Sequence, residues 1–348
     1  PQTATFTAAA GQSIYLDNLD ASNNLTFGIH TFSDAVTFAT PSGSLLNVTV
    51  RDSTAFDFGA ALTLAQVSSA GGNLIVTSGG NVTQGGGKLI IPGTTTISAP
   101  SRSVTLSDPD NEFTGAVSIE AHTVDLEDKD AIVLGASTVT GNYLVTAAQA
   151  VTQLLDTALD ITGTTTVSAS GQNVTLANTS NDFTGAVIIT GAAVELVDAD
   201  TIVLGASTVT GTYNVTATAG NITQNGALII TGTTTLLTSG EGATIDLSTT
   251  SNKFTGALLI TTNDNDSPTD GTYAAHVTID GGELAPLVIG TSTIDGDLTL
   301  LNGNVSGITD ALSATVTVNG NLIATTDNNN GVIDLGDLDM SATTSKIQ

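Results

Sequence analysis

Carboxylates are the commonest chemically active side chains in this sequence, and they gather in short turns. Four acidic turns stand out, at 108–112, 128–130, 198–200 and 264–271. Calcium binds several oxygen ligands from Asp, Glu, Asn and backbone carbonyls. The last turn offers the densest set, so the sequence predicts a calcium site at Asp264, Asp266 and Asp270. Asp also favours turns, so the alternative is a set of solvated turns with no ion.

Histidine and cysteine chemistry finds little support in the sequence. Cysteine is absent, which removes thiolate metal sites and cysteine nucleophiles. The three histidines, His30, His122 and His276, have no partner at metal-ligand spacing. They are interpreted as polar turn residues, and the sequence predicts no required cofactor, with calcium as the candidate metal ion.

An enzyme acting on carbohydrates is the main catalytic alternative. Such sites need acids together with cationic or aromatic groups that hold and ionise the sugar. This sequence has no Trp and only two arginines, Arg51 and Arg102, which lie far apart along the chain. The sequence therefore predicts that the chain is not an enzyme.

The charge balance excludes two classes of partner. The chain has 348 residues, with 33 acidic and 6 basic side chains and a net charge of −27. Nucleic acids and anionic membrane surfaces both attract clustered Lys and Arg, so neither is an expected partner. No stretch reaches about 18 continuous apolar residues, so membrane insertion is not expected either.

A repeat of about 70 residues organises the chain. Three motifs recur at this spacing: Gly-Thr-Thr-Thr from Gly93, Gly163 and Gly232, Phe-Thr-Gly-Ala from Phe113, Phe183 and Phe254, and Val/Ile-Thr-Gln from Val82, Val151 and Ile222. The segment at 132–141 recurs identically at 202–211 and in altered form at 287–296. This last copy comes later than the repeat period requires, so we predict an insertion near 263–276.

Each block divides into short strand segments. TTTIS at Thr94, AVSIE at Ala116 and STVTG at Ser137 follow one another at even spacing, close to a third of the block. Such spacing is typical of a parallel β-solenoid. Gly, Asn, Asp and Ser separate the segments, as expected for turns between strands. The sequence predicts an all-β parallel β-helix with about three coils in each 70-residue block.

Asn-x-Ser/Thr sequences also recur, as at Asn47, Asn81, Asn173 and Asn221. One interpretation is glycosylation. The favoured interpretation is that Asn ends a turn and Thr opens the next strand, so the repeat generates the pattern by itself.

The domain organisation follows from the repeats. We expect one continuous solenoid over 1–348, with irregular coils at 1–72 and 297–348 and three blocks at 73–296. The insertion near 263–276 is expected to leave a coil corner as a loop that makes specific contacts. The residues of this expected interaction loop are Asn263, Asp264, Asn265, Asp266, Asp270, Tyr273 and His276.

The repeats resemble those of a known family. The segments NITQNGALIITGTTTL at 221–236, LVDADTIVLGASTVTGTYNVTA at 196–217 and NKFTGALLI at 252–260 look like repeats of filamentous-haemagglutinin-type exoproteins, which are large bacterial surface adhesins. The resemblance covers roughly 72–296 and implies a right-handed parallel β-helix that is secreted and displayed at the cell surface. The family's Asn-Pro-Asn-Leu and Asn-Pro-Asn-Gly secretion motifs do not occur here, so we expect shaft and not secretion signal.

The expected function is therefore structural: a non-catalytic shaft of an extracellular adhesin or filament. Expected partners are other copies of the chain, further segments of a longer chain, and glycans or proteins of a host or neighbouring surface. The alternatives are a carbohydrate-active β-helix enzyme and a virus-type fibre protein, which is normally trimeric.

Overall fold

The chain folds into short β-strands, without a helix in any part that the structure describes. The computed structural model describes residues 3–17, 30–248, 252–264, 274–327, 330–336 and 338–339. The chain divides into two compact units, Pro1–Ala169 and Ser170–Gln348. A single continuous solenoid over the full length stays a prediction. Nothing in these described ranges is a helix long and apolar enough to cross a membrane.

The first unit consists of short strands separated by turns. In chain order they are β1 (Ala4–Thr7), β2 (Ile14–Leu16), β3 (Val36–Ala39), β4 (Val48–Asp52), β5 (Phe56–Phe58), β6 (Leu62–Thr63), β7 (Gln66–Val67), β8 (Ala70–Gly71), β9 (Leu74–Ser78), β10 (Val82–Gln84), β11 (Leu89–Ile91), β12 (Thr95–Leu106), β13 (Glu112–Phe113), β14 (Val117–Asp128), β15 (Ile132–Leu134), β16 (Ser137–Val139), β17 (Tyr143–Ala147), β18 (Val151–Gln153), β19 (Leu159–Ile161) and β20 (Thr165–Ser168). Strands β7 and β8 form an antiparallel hairpin.

The second unit also consists of short strands separated by turns. Its strands are β21 (Val174–Leu176), β22 (Asp182–Phe183), β23 (Ala186–Gly191), β24 (Val194–Asp198), β25 (Ile202–Leu204), β26 (Ser207–Val209), β27 (Tyr213–Ala217), β28 (Ile222–Gln224), β29 (Leu228–Ile230), β30 (Thr234–Thr238), β31 (Ile245–Leu247), β32 (Lys253–Phe254), β33 (Leu258–Thr261), β34 (Val277–Asp280), β35 (Leu287–Ile289), β36 (Ser292–Ile294), β37 (Leu298–Asn302), β38 (Ile308–Asp310), β39 (Val316–Val318), β40 (Leu322–Thr326), β41 (Ile333–Asp334) and β42 (Leu338–Asp339).

The strands of the first unit stack in parallel, one coil on the next. Val82, Val104, Val124, Tyr143 and Thr165 pair in succession along one such stack. All five side chains are buried. Successive side chains of a strand point to opposite faces, so the residues between these buried positions face outward. This arrangement explains why apolar and hydroxyl side chains alternate in the sequence.

One repeat block of about 70 residues contains three full coils and one further strand. Three coils take the chain from Val104 to Thr165, which falls short of the full repeat period. Thr95 precedes Thr165 by one full period but belongs to another stack, beside Val117. The copies of the Gly-Thr-Thr-Thr motif that contain Thr95 and Thr165 therefore lie on different faces. The prediction of about three coils per block holds, with one further strand in this block.

The second unit is built in the same way. Val174, Val194, Tyr213, Thr234 and Leu258 pair in parallel along one stack, and all five are buried. Each unit is thus a parallel β-solenoid, which confirms the all-β solenoid prediction.

Glycine is required where neighbouring coils come closest. A Cβ atom at Gly232 would lie 2.4 Å from the carbonyl carbon of Gly211 in the coil before. Gly115 meets Gly93 in the same way in the first unit, where a Cβ would lie 2.2 Å from the carbonyl oxygen. The glycines of the repeated motifs are therefore fixed by backbone packing, because no side chain fits between these coils.

One coil of the second unit is longer than its neighbours. This coil runs from Ile245 to Val277, which pair directly across it. The coil before it, from Ile222 to Ile245, and the coil after it, from Val277 to Leu298, are both shorter. The ladder is parallel on both sides, so the extra residues enter without disturbing the stack.

Candidate functional site

Asp264 lies at the neck of the long coil, which is the place where the insertion near 263–276 leaves the coil and rejoins it. Its carboxylate Oδ2 accepts a hydrogen bond from the Ala274 N–H at 2.8 Å, and its own N–H donates to Asp295 Oδ2 at 3.2 Å. The Thr262 hydroxyl donates to the Ala275 carbonyl at 3.2 Å. Asp264 is buried. These bonds hold together the points where the insertion leaves the coil and rejoins it.

The predicted calcium ligands lie only partly within the described residues. Asp264 takes part in the neck, whereas Asp266 and Asp270 lie outside the described residues, as do Asn265 and Tyr273 of the predicted interaction loop. Across the described ranges, no group of three or more His, Cys, Asp or Glu side chains could hold a metal ion. The calcium site stays a prediction.

Two further residues of the predicted interaction loop fasten its flanks to neighbouring coils. Asn263 Nδ2 donates to the Ser239 carbonyl at 3.0 Å. The Asp297 N–H donates to His276 Nδ1 at 2.9 Å, and the same ring nitrogen lies 3.7 Å from Asp297 Oδ2. Asn263 and His276 therefore contribute to the register of the stack.

Asp128, in the second acidic turn, is a buried corner residue of the first unit. Its carboxylate accepts backbone hydrogen bonds from Phe113 and from Asp130, both at 2.7 Å. Burial raises the pKa of Asp128 to about 6, because lost solvation outweighs the two hydrogen bonds that favour the charged form. At the surface, Lys129 Nζ lies 2.8 Å from Glu112 Oε2.

Asp198 holds the corresponding position in the second unit. It accepts backbone hydrogen bonds from Phe183 at 2.9 Å and Asp200 at 2.8 Å, and burial raises its pKa to about 6. Ala199 stands where the first block has Lys129, so this corner lacks that cation. Both oxygens of each carboxylate bind backbone, so these acidic turns are structural corners.

Asn111 forms a satisfied amide clamp between two coils of the first unit. Its Oδ1 accepts hydrogen bonds from the Leu89 N–H at 2.8 Å and from Gln84 Nε2 at 2.7 Å. Its Nδ2 donates to Gln84 Oε1 at 3.0 Å and to the Leu106 carbonyl at 3.1 Å. The Val-Thr-Gln motif and the Asn two residues before Phe-Thr-Gly-Ala are therefore two halves of one clamp.

Asn252 forms the equivalent clamp in the second unit. Its Oδ1 accepts from the Leu228 N–H at 2.9 Å and from Gln224 Nε2, and its Nδ2 donates to Gln224 Oε1 at 3.1 Å. The same Nδ2 lies 3.0 Å from the Asp280 carbonyl of the following coil. One buried side chain thus joins three successive coils.

The recurring Asn-x-Thr sequences also serve the stacking of coils. Asn47 Oδ1 accepts a hydrogen bond from the Asn73 N–H at 3.0 Å, and Asn81 Oδ1 accepts one from the Ser103 N–H at 3.1 Å. Asn221 Oδ1 accepts one from the Thr244 N–H at 2.8 Å. The pattern therefore has a structural explanation in hydrogen bonds between coils, which the sequence interpretation did not include.

Comparison with known proteins identifies the repeats. Residues 45–120, 121–190 and 191–261 each match a family model described as repeats of unknown function (DUF5649), and together they cover more than half of the chain. The chain belongs to this family. The comparisons with curated proteins and with solved structures gave no match.

Each DUF5649 repeat of this chain contains one fully buried asparagine two residues before the Phe of Phe-Thr-Gly-Ala. These are Asn111, Asn181 and Asn252. The repeated motifs alone do not reveal these asparagines, because motif spacing gives only the period of the repeat. The available signal was a Gln and an Asn that recur in the blocks about one coil apart, at 84 and 111 and again at 224 and 252.

Proposed function

We propose that the chain is a non-catalytic structural protein, the β-helical shaft of an extracellular bacterial adhesin or surface filament. The resemblance of its repeats to filamentous-haemagglutinin-type exoproteins supports a place at the cell surface. The shaft holds other parts of a surface assembly away from the cell and makes contacts along its length.

The observation that carries this proposal is the use of buried polar side chains as ties between coils. Asn111 and Asn252 are fully buried amides whose partners lie in neighbouring coils. A buried polar group that loses its partner costs about 1–3 kcal/mol, so coils joined in this way resist sliding and separation. Resistance of that kind is what a mechanical element needs.

The expected partners are other copies of the chain and further segments of a longer chain. Glycans or proteins of a host or neighbouring surface form the second class. The net charge of −27 makes neighbouring copies repel at low ionic strength, so lateral contacts depend on screening or on bridging cations such as calcium.

Antibodies raised against the purified chain test the location. Intact cells of the source organism should be labelled without permeabilisation, and external protease should remove the label. Labelling that appears only after permeabilisation contradicts an extracellular shaft.

Two measurements on the purified chain test the alternatives. Sedimentation equilibrium should give a monomer or an open series of assemblies, and a fixed trimer would favour a virus-type fibre. Incubation with a panel of polysaccharides should release no new reducing ends, and release that scales with protein concentration would favour a carbohydrate-active enzyme.

A further inference from the structure

A shallow groove crosses four coils on the outer face of the first unit. Thr105, Asp125, Leu144 and Thr166 pair in succession along this face. They alternate with the buried residues of the same strands, so their side chains point outward. The groove has a volume of about 320 Å³, and Asn142 is among the other residues that line it. This volume is at the small end of the range for small-molecule sites.

The groove contains a carboxylate that the described part of the protein leaves without a partner. Asp125 is half-buried, and its carboxylate forms no hydrogen bond or ion pair with the described residues. Burial raises the pKa of Asp125. A partly desolvated acceptor is stabilised by any ligand that brings hydrogen-bond donors to it. Asp125 is therefore an acceptor that a ligand in this groove can use.

The neighbours of Asp125 decide which class of ligand fits. Thr105 and Thr166 supply hydroxyls that both donate and accept, which suits a ligand with several hydroxyls. Leu144, 37% exposed, supplies an apolar surface for the C–H face of a ring. Calcium requires about six to eight oxygen ligands, and a single carboxylate among threonine hydroxyls does not provide them.

We propose that this groove binds a neutral sugar, a hexopyranoside of a surface glycan, with Asp125 as the principal acceptor. The inference rests on the proposed function in one respect, namely that the shaft meets glycans outside the cell.

The second unit offers a matched row of residues for comparison. Thr175, Glu195, Asn214 and Thr235 pair in the same succession. Both threonines and a carboxylate are retained, but Asn214 replaces the apolar side chain of Leu144. Glu195 is exposed, so its carboxylate is well solvated and gains less from a ligand. We expect this row to bind sugars much more weakly.

Ligand-observed NMR with a panel of methyl hexopyranosides tests the site on the full chain. At least one glycoside should show saturation transfer, and its affinity should fall about tenfold in Asp125→Asn, because a hydrogen bond to a charged group is lost. Leu144→Asn, which copies the second row, should also weaken binding. Glu195→Gln is the matched control and should bind like the wild type. Thermal unfolding of each variant confirms that the surface change leaves the fold intact.

Three results would overturn the site. They are no transfer to any glycoside, unchanged affinity in Asp125→Asn, or an equal loss in Glu195→Gln. A parallel titration with calcium at matched ionic strength covers the other ligand class, and shifts of the Asp125 signals with calcium but not with sugar also reject the proposal. Cell-surface labelling is independent of sugar binding, so failure of the groove and failure of the shaft function are distinguishable.

Discussion

Asn252 shows how much a single side chain contributes to the contacts between coils. It satisfies the Leu228 N–H, pairs with the Gln224 amide and reaches the Asp280 carbonyl, all from a fully buried position. No other side chain of similar volume supplies two donors and a two-site acceptor in this geometry. The clamp is therefore specific to asparagine.

Replacing this asparagine should be costly. Asn252→Ala leaves the buried Leu228 N–H without its acceptor, so the free energy of unfolding should fall by about 2–4 kcal/mol, more than one unsatisfied group alone would cost. Urea unfolding measures the change. Asn225→Ala, at an exposed turn of the same unit, is the control and should have little effect. Equal losses in the two variants would show that the clamp contributes nothing special.

The buried carboxylate Asp128 predicts a pH dependence of stability. The pKa of Asp128 is about 6 in the folded chain, above its ordinary value of 3.8. Between these two pH values the folded chain therefore keeps a proton that the unfolded chain releases. This contribution to stability is fully present below pH 3.8 and is lost as the pH rises through about 6.

Urea unfolding from pH 4 to pH 7 tests this dependence. Asp128→Asn, which mimics the protonated form, should remove part of the fall in stability with rising pH. Asp160→Asn, at an exposed strand position, should follow the wild-type profile. If Asp128→Asn also keeps the full wild-type profile, Asp128 does not titrate in this range.

The turns between strands tolerate fewer residue types than the strands themselves do. Strand interiors accept side chains of different size in the same stack, as Val82, Val104 and Val124 followed by Tyr143 illustrate. At the coil corners, by contrast, backbone meets backbone, and Gly232 has no room for a Cβ atom.

Gly232→Ala should therefore destabilise the second unit. The new Cβ would lie 2.4 Å from the Gly211 backbone, and the bond from the Gly232 N–H to the Gly211 carbonyl at 3.1 Å holds these two coil corners together. We expect a loss of about 1–3 kcal/mol, typical of overpacking. Gly336→Ala is the control, because a Cβ there meets nothing within 4 Å. Thermal melts of both variants measure the difference, and a wild-type melt for Gly232→Ala contradicts the packing argument.

The sequence predicts strands and period well because stacked coils repeat the same local environment. Alternation of Val and Thr is enough to place Val104 inside and Thr105 outside. Two features needed the structure. Equivalent residues of successive blocks lie in different stacks, because each block has one strand more than three full coils. The linear repeat does not show this, and only the pairing of Thr165 with Tyr143 shows which stack Thr165 belongs to. The groove at Asp125 depends on residues from four coils, and no linear motif brings them together.

At the scale of the whole molecule, we expect the net charge of −27 to oppose association between copies. A chain with a charge of −27 repels its copies over a Debye length of about 10 Å at 0.1 M salt. Bridging of acidic turns by a divalent cation would reverse this repulsion. We expect calcium to increase the sedimentation coefficient more than sodium does at matched ionic strength, because sodium screens the charge without bridging carboxylates. A chain that stays monomeric in both solutions contradicts cation-linked assembly.

The central claim is the mechanical role proposed for this chain, and force spectroscopy on the full chain tests it most directly. A chain tethered at its two ends should resist extension and then unfold in discrete steps, because buried clamps and ladder bonds must break together. Asn252→Ala should lower the unfolding force of steps within the second unit, while Asn225→Ala should not. Smooth extension at the lowest forces, or identical force profiles for both variants, would contradict the account.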